Sequence, residues 1–273
     1  MSKIGLVQMC SGVDMARNLV AAQALVREAA AKGARYVLTP EVSNIFEADR
    51  PRLKAVAMRQ DDDIFVRGFS ELAQELKIYL HAGSLALNAG HEKLANRSML
   101  FGPDGALIAT YDKIHLFDID LPNGESYRES ATYNPGEHAV AVTLPDFKLG
   151  MAICYDMRFP KLANALANAG CSVLSYPAAF TVHTGQAHWH VLLRARAIET
   201  GSFVIAAAQG GDHETGKSTY GHSIVISPWG EVLGELQAEP GVLMVDIDVA
   251  LSAGVRGRIP ALVHARDFAL KQV

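Results

Sequence analysis

Short apolar runs alternate with amphipathic stretches from the first residues onward, so the chain switches repeatedly between strand and helix periodicity. "KIGLVQM" (3–9) has the apolar density of a buried strand. From Asn18 to Lys32, Leu19, Ala22, Val26 and Ala29 recur at helical spacing, and Gly33 supplies a stop. "RYVLTP" (35–40) predicts the next strand, Phe69, Leu72 and Leu76 mark the next helix face, and "IYLHAGSLAL" (78–87) predicts a third strand. A further strand is expected over 106–112.

The pattern then restarts. "KIGLVQM" is echoed by "KLGMAIC" (148–154), "YVLTP" (36–40) by "VLSYP" (173–177), and "SMLFGPDGALI" (98–108) by "SIVISPWGEVL" (223–233), in the same order. The third pair reads strand, Pro-x-Gly turn, strand, which is a hairpin signal. Two β-α-β-α-β-β halves predict an α/β fold in which two sheets pack face to face with helices outside. No Gly/Ser- or Pro-rich linker separates the halves, so residues 1–273 are expected to form one domain. "VRGRIPALVHARDFALKQV" (255–273) shows neither period, and the tail from about 250 is expected to reach a subunit interface.

Composition narrows the function classes. The 273 residues are 49 % hydrophobic, enough for a large core, and the net charge of -4 comes from intermixed acids and bases. Neither a nucleic acid nor an anionic membrane surface is an expected partner. No apolar run reaches the roughly 18 residues of a membrane span, and "MSKIGLVQMC" lacks the apolar stretch of a secretory signal, which places the protein in the cytoplasm. Cys10, Cys154 and Cys171 are odd in number with no CxxC pair, so each is expected to be a free thiol. Cys10 and Cys171, inside strand patterns, read as small core residues.

Ligands gather beyond the carboxyl ends of strands in α/β sheets. Glu41 follows "RYVLTP", Cys154 ends "KLGMAIC", and Lys113 follows the strand over 106–112. A helix is expected straight after Cys154, with Pro160 in its first turn, Leu162 and Leu166 on its buried face and Gly170 at its end. The thiol would then sit at a positive helix N-terminus that favours its anion. Glu41 can take the thiol proton, while Lys113 and the Tyr155 N–H can hold a developing oxyanion. The competing reading is a core cysteine, a loop glutamate and a surface lysine.

"VLTPEVSN", "YDKIHLFD" and "GMAICYDMRFP", in this order, resemble the three signatures of the carbon–nitrogen hydrolase family, the nitrilase superfamily. "HLFDIDLP", "YRES", "YPAAF", "AHW", "LLRARAIET", "AAAQ" and "YGHSIVISPWGEV" are similar to its Nit branch. The resemblance implies a four-layer α-β-β-α sandwich, a cofactor-free and metal-free amidase, and a homodimer or higher homo-oligomer. It implies the triad Glu41, Lys113 and Cys154, with Glu129 of "YRESATYNPG" and Tyr155 in support. Arg158, Phe180 and Thr181 are implied as substrate contacts, although Arg158 can equally form an internal ion pair. The implied substrate is a small carboxylate amide. Deaminated glutathione, cleaved to 2-oxoglutarate and cysteinylglycine, stands first, with 2-oxoglutaramate or an N-carbamoyl amino acid as alternatives.

"GQAHWH" departs from the family's Gly-Pro-Ala-His-Trp-Glu, with Gln186 and His190 in place of proline and glutamate. Rival chemistries are a zinc hydrolase drawing on Cys154, His183, His188 and His190, and a papain-like Cys–His pair. A non-enzymatic rival is a nucleotide-binding module, because "GDHETGKS" (211–218) satisfies the letters of a phosphate loop. That stretch joins two predicted strands, without the helix start that phosphate binding needs.

Overall fold

Strand pairing follows the repeat. The computed structural model describes residues 1–121 and 124–272, so Pro122 of "HLFDIDLP" lies outside the described residues. The first six-stranded sheet runs Gly241–Ile247, Ser2–Gln8, Tyr36–Leu38, Tyr79–Leu87, Ala95–Phe101, Leu107–Asp112. The second runs Val140–Thr143, Lys148–Met151, Val173–Ser175, Phe203–Ala206, Ile224–Ile226, Val232–Glu235. Across both, the successive pairings are antiparallel, parallel, parallel, antiparallel, antiparallel.

The edge strands cross over. Val140–Thr143 follows the first half in the chain but pairs with Lys148–Met151 of the second sheet, whereas Gly241–Ile247 follows the second half and pairs with Ser2–Gln8. Each half therefore completes the other's sheet, and pulling them apart would strip a strand from both.

Period-two alternation sets the layers. Ile4, Leu6 and Leu38 share one buried cluster with Leu149, Met151 and Val173 of the facing sheet. Val7, Val37 and Leu80 pack instead with Val26, Ala29, Phe65 and Phe69 of the outer helices Met15–Ala31 and Ile64–Leu76. Full burial of a Leu or Phe side chain is worth about 1.5–3 kcal/mol, so these layers dominate stability. Gly5 lets Met15–Ala31 approach closely, since a Cβ there would lie 2.9 Å from Ala29 Cβ. Gly150, its counterpart in the repeat, lies under Leu166 in the same way, where a Cβ would come within 3.1 Å of that side chain. Asp14 caps the first of these helices and Asp63 the second, each carboxylate accepting backbone N–H bonds.

Two expectations change, and a third holds. Cys10 is exposed rather than a core residue, because the strand ends at Gln8 and, after a single bridge from Met9 to Gln209, the chain turns out to the Gly210–Tyr220 hairpin, where the Cys10 thiol lies 3.4 Å from Asp212 O. Cys171 is buried as expected. The tail, read as neither helix nor strand, opens with a helix, Ala250–Arg258, whose Arg256 donates to Thr200 O at 2.9 Å and to Cys171 O at 2.6 Å. Two glycines, Gly254 and Gly257, weaken its local signal, so these long-range bonds supply what propensity lacks. "GDHETGKS" forms a hairpin between Gly210–Asp212 and Ser218–Tyr220 with no helix after it, so the phosphate-loop reading fails on context. No helix among the described residues is long and apolar enough to cross a membrane.

Candidate active site

The nucleophile candidate sits on a strained turn. Between Lys148–Met151 and the helix Pro160–Asn168 the chain makes a 3-10 turn, Cys154–Arg158, and Cys154 itself adopts φ 47°. A non-glycine residue rarely occupies this region, and such strain persists only where surrounding structure holds it. Here the Cys154 N–H donates to Pro177 O at 2.9 Å, and the Ile153 N–H to the Asp156 carboxylate at 2.8 Å. Beyond Tyr36–Leu38, Val42 is likewise at φ 47°, with its N–H donating to Ser84 Oγ at 2.9 Å, and this turn fixes Glu41.

Glu41, Lys113 and Cys154 meet in one buried cluster. Lys113 Nζ donates to Glu41 Oε1 at 2.8 Å and to both oxygens of Glu129 at 2.9 and 3.0 Å, so its three protons are all engaged. Glu41 Oε2 accepts the Ala179 N–H at 2.8 Å, and Glu129 Oε2 accepts the Phe117 N–H at 2.6 Å. The Lys113 and Glu41 side chains are only 2 % and 5 % exposed. Removing one partner of such a set would leave an unpaired buried charge, a cost of about 3–5 kcal/mol.

Burial decides the protonation states. It pushes the Cys154 thiol well above its ordinary value, the Glu41 charge adds to this, and the Lys113 ammonium only partly opposes both. These influences favour the neutral thiol at Cys154, contrary to the expectation that a helix N-terminus favours its anion. A single 3-10 turn carries little dipole, while burial and a carboxylate act directly on the sulfur. Burial also draws the Lys113 ammonium down, but the Glu129 and Glu41 carboxylates outweigh it and hold its pKa well above the lysine value. The Glu129 carboxyl is raised, by burial first and by Glu41, against the opposing pull of Lys113.

Three positioning residues escaped the sequence reading. Asn96 Nδ2 donates to Glu41 Oε1 at 2.9 Å and to Glu129 Oε1 at 3.1 Å, separating two like charges. Asp156, fully buried, accepts from Tyr111 Oη at 2.6 Å and from the His115 N–H at 3.1 Å, tying the segment that carries Lys113 to the Cys154 turn. Gln209 donates to Glu41 O at 3.0 Å. Asn96 had a usable signal, a polar side chain on the inward face of an apolar strand.

A cavity of about 330 Å³ opens onto this cluster, within the size range of small-molecule sites. Glu41, Lys113, Glu129, Cys154, Phe180 and Thr181 line it, with Arg50 and Lys217 among its cations. Thr181 also caps the helix Val182–Thr200, and Phe180 packs against Trp189. Tyr155 packs edge-on to Phe117 and Phe159. Arg158 is not on the cavity wall; it lies 3.2 Å from His188 Nδ1 and over the Phe180 ring. No histidine lines the cavity among the described residues, which leaves neither a Cys–His pair nor a cysteine-based zinc set around Cys154.

Comparison with known proteins agrees with this geometry. The carbon–nitrogen hydrolase family model matches residues 3–256. The chain is 36 % identical over 268 residues to the deaminated glutathione amidase of Yersinia enterocolitica, covering 97 % of this chain and 93 % of that one. It is 38 % identical over 271 residues to the omega-amidase NIT2 of Danio rerio, covering 97 % and 95 %. Among solved structures, Nit3 of Saccharomyces cerevisiae, a member of branch 10 of the nitrilase superfamily, superposes with TM-score 0.85 at 30 % identity, covering 95 % and 94 %. A match that spans both sheets and every side chain of the buried cluster settles the family: this chain belongs to the carbon–nitrogen hydrolases.

Proposed function

We propose that the chain is a cysteine-dependent amidase that hydrolyses deaminated glutathione to 2-oxoglutarate and cysteinylglycine through a thioester. The observation that carries the chemistry is the buried cluster of the Cys154 thiol, the Glu41 carboxylate and the Lys113 ammonium at one cavity wall. Cys154 Sγ attacks the amide carbon as its proton passes to Glu41, and the carbonyl electrons move onto oxygen. Lys113 Nζ and the Tyr155 N–H hold that oxyanion, the ammonium giving up its longest bond, to Glu129 Oε1 at 3.0 Å. The carbon–nitrogen bond then breaks and Glu41 returns the proton to the departing amine. Water, deprotonated by Glu41, attacks the thioester; the carbon–sulfur bond breaks and the proton goes back to sulfur. Glu129 and Asn96 keep Lys113 and Glu41 in register.

For the substrate, Arg50 and Lys217 beside the cavity suit a carboxylate remote from the scissile amide. Similarity to the Yersinia amidase favours deaminated glutathione. Similarity to the Danio omega-amidase supports the second reading, hydrolysis of 2-oxoglutaramate. In this proposal the enzyme works in the cytoplasm as a homodimer, with Val191 and Ile198 of the Val182–Thr200 helix, 68 % and 54 % exposed in the single chain, on its contact face.

Product release from both substrates, with wild type and Cys154→Ala, tests the proposal. The alanine variant is expected to fold and to lose at least about a thousandfold in turnover. Substantial residual turnover would reject the mechanism, and faster release from 2-oxoglutaramate would reject the substrate assignment in favour of the omega-amidase reading.

A further inference from the structure

We propose that His190, His222 and Glu235 form a zinc site, separate from the amidase cavity, that staples the Val182–Thr200 helix to the edge of the second sheet. The three residues come from three elements: the middle of that helix, the loop before Ile224–Ile226, and the end of Val232–Glu235. Their ligand atoms all lie within 4.8 Å of one another. Glu235 Oε1 lies 2.8 Å from His190 Nε2 and 2.6 Å from His222 Nδ1. None of the three lines the cavity that holds Cys154.

Donor chemistry and geometry both fit the ion. Two imidazoles and one carboxylate are a donor set that zinc takes, with a fourth position left to water. Metal–nitrogen bonds of about 2.1 Å on a tetrahedral ion put two imidazole centroids about 5 Å apart. The His190 and His222 rings are 5.9 Å apart and inclined at 73°, so a shift of well under an ångström per ring would seat the ion. Side-chain exposures of 35 %, 19 % and 24 % for His190, His222 and Glu235 leave an entry path for it and for the water.

The ligands are also held in place before any ion arrives. His222 adopts φ 58°, a left-handed conformation costly for a residue with a Cβ. It is kept there from both sides: its N–H donates to Gln237 O at 3.0 Å, and its carbonyl accepts the Trp189 indole N–H at 2.9 Å. Tyr220 stacks on the His222 ring at 4.1 Å and meets His190 edge-on at 6.3 Å. Both imidazoles converge on a single carboxylate oxygen, so an ion placed among them would meet all three donors at once.

The test uses the full-length protein, stripped with a chelator, dialysed and titrated with cobalt(II) and then zinc. One ion per chain is expected, with the visible bands of a four- or five-coordinate nitrogen–oxygen cobalt site and no thiolate-to-cobalt charge-transfer band. His190→Gln and Glu235→Gln are each expected to weaken uptake at least tenfold. The proposal is overturned by absent stoichiometric uptake, by a thiolate band that would move the ion to Cys10 or Cys154, or by uptake that neither substitution changes. Should one variant fail to fold, the other and the wild-type cobalt spectrum still decide.

Discussion

At Cys154 two influences compete for the thiol proton. The turn that follows offers a few backbone N–H groups, whereas burial and the Glu41 carboxylate, acting at contact range, both favour the neutral form. In the proposed mechanism, attack therefore depends on proton transfer to Glu41 at the moment substrate arrives. This gives a signed pH prediction. Because the folded-state pKa is raised, the thiolate fraction at neutral pH is smaller than in a free cysteine, and it grows only as pH climbs toward the raised value. Iodoacetamide labelling of the Cys154 peptide, followed by mass spectrometry, is expected to accelerate through pH 9 without reaching a plateau. A plateau near pH 7 would mean a preformed thiolate. Cys10, also raised but exposed, supplies an internal comparison.

Among the elements, the irregular middle of Tyr79–Leu87 sets the position of Glu41, the proposed base. Pairing with Ala95–Phe101 shifts register between Ala82 and Leu85, and Gly83 sits at that irregularity. A Cβ on Gly83 would lie 1.9 Å from Thr39 O, 2.7 Å from Pro40 O and 2.5 Å from Pro177 Cβ. Two of these are backbone atoms of the turn leading into Glu41, and Pro177 O holds Cys154. Gly83→Ala is thus expected to cost about 1–3 kcal/mol of stability. It is also expected to lower kcat more than tenfold, because a shift of about 1 Å in the base is enough for such a loss. Denaturant unfolding and steady-state kinetics check both, and a destabilised variant with unchanged kcat would contradict the link. The hairpin over "GDHETGKS" shows the same logic in reverse: with a strand after Lys217 instead of a helix, the lysine lines the cavity beside Cys154.

For the whole molecule, the interior between the sheets carries a titration of its own. His81 is fully buried, 2.6 Å from Ser98 Oγ and within hydrogen-bonding distance of Tyr36 Oη, and Tyr36 in turn packs edge-on to Phe147 from the other half. Burial pulls the His81 pKa down to about 3. Between that value and the ordinary value of about 6.5, the unfolded chain binds a proton that the folded chain refuses. Stability is therefore complete above pH 6.5 and falls as pH drops, by at most about 1.4 kcal/mol per pH unit from this group. Denaturant midpoints measured from pH 7 to 4 are expected to fall less steeply in His81→Gln than in wild type. Parallel slopes would show that His81 is not the titrating group.

The fold class was legible because hydrophobic period and turn chemistry are local properties, and because the chain states them twice. Glu41, Lys113 and Cys154 stood out as candidates because each directly follows or ends a readable strand, and the resemblance of the three ordered motifs around them to the family's signatures is what set them above loop and core residues. The interactions that give those residues their chemistry join positions far apart, 72 residues between Glu41 and Lys113 and 138 between Glu41 and Ala179. No window of sequence contains them. Tertiary structure alone decided the exchange of edge strands, the docking of the glycine-weakened tail helix and the bridging role of Asn96. It also placed Arg158 against His188 and off the cavity wall, and it kept the Cys154 proton on sulfur. Periodicity says which face of an element is buried, and burial says what a charge costs, but which charges meet depends on how distant segments pack.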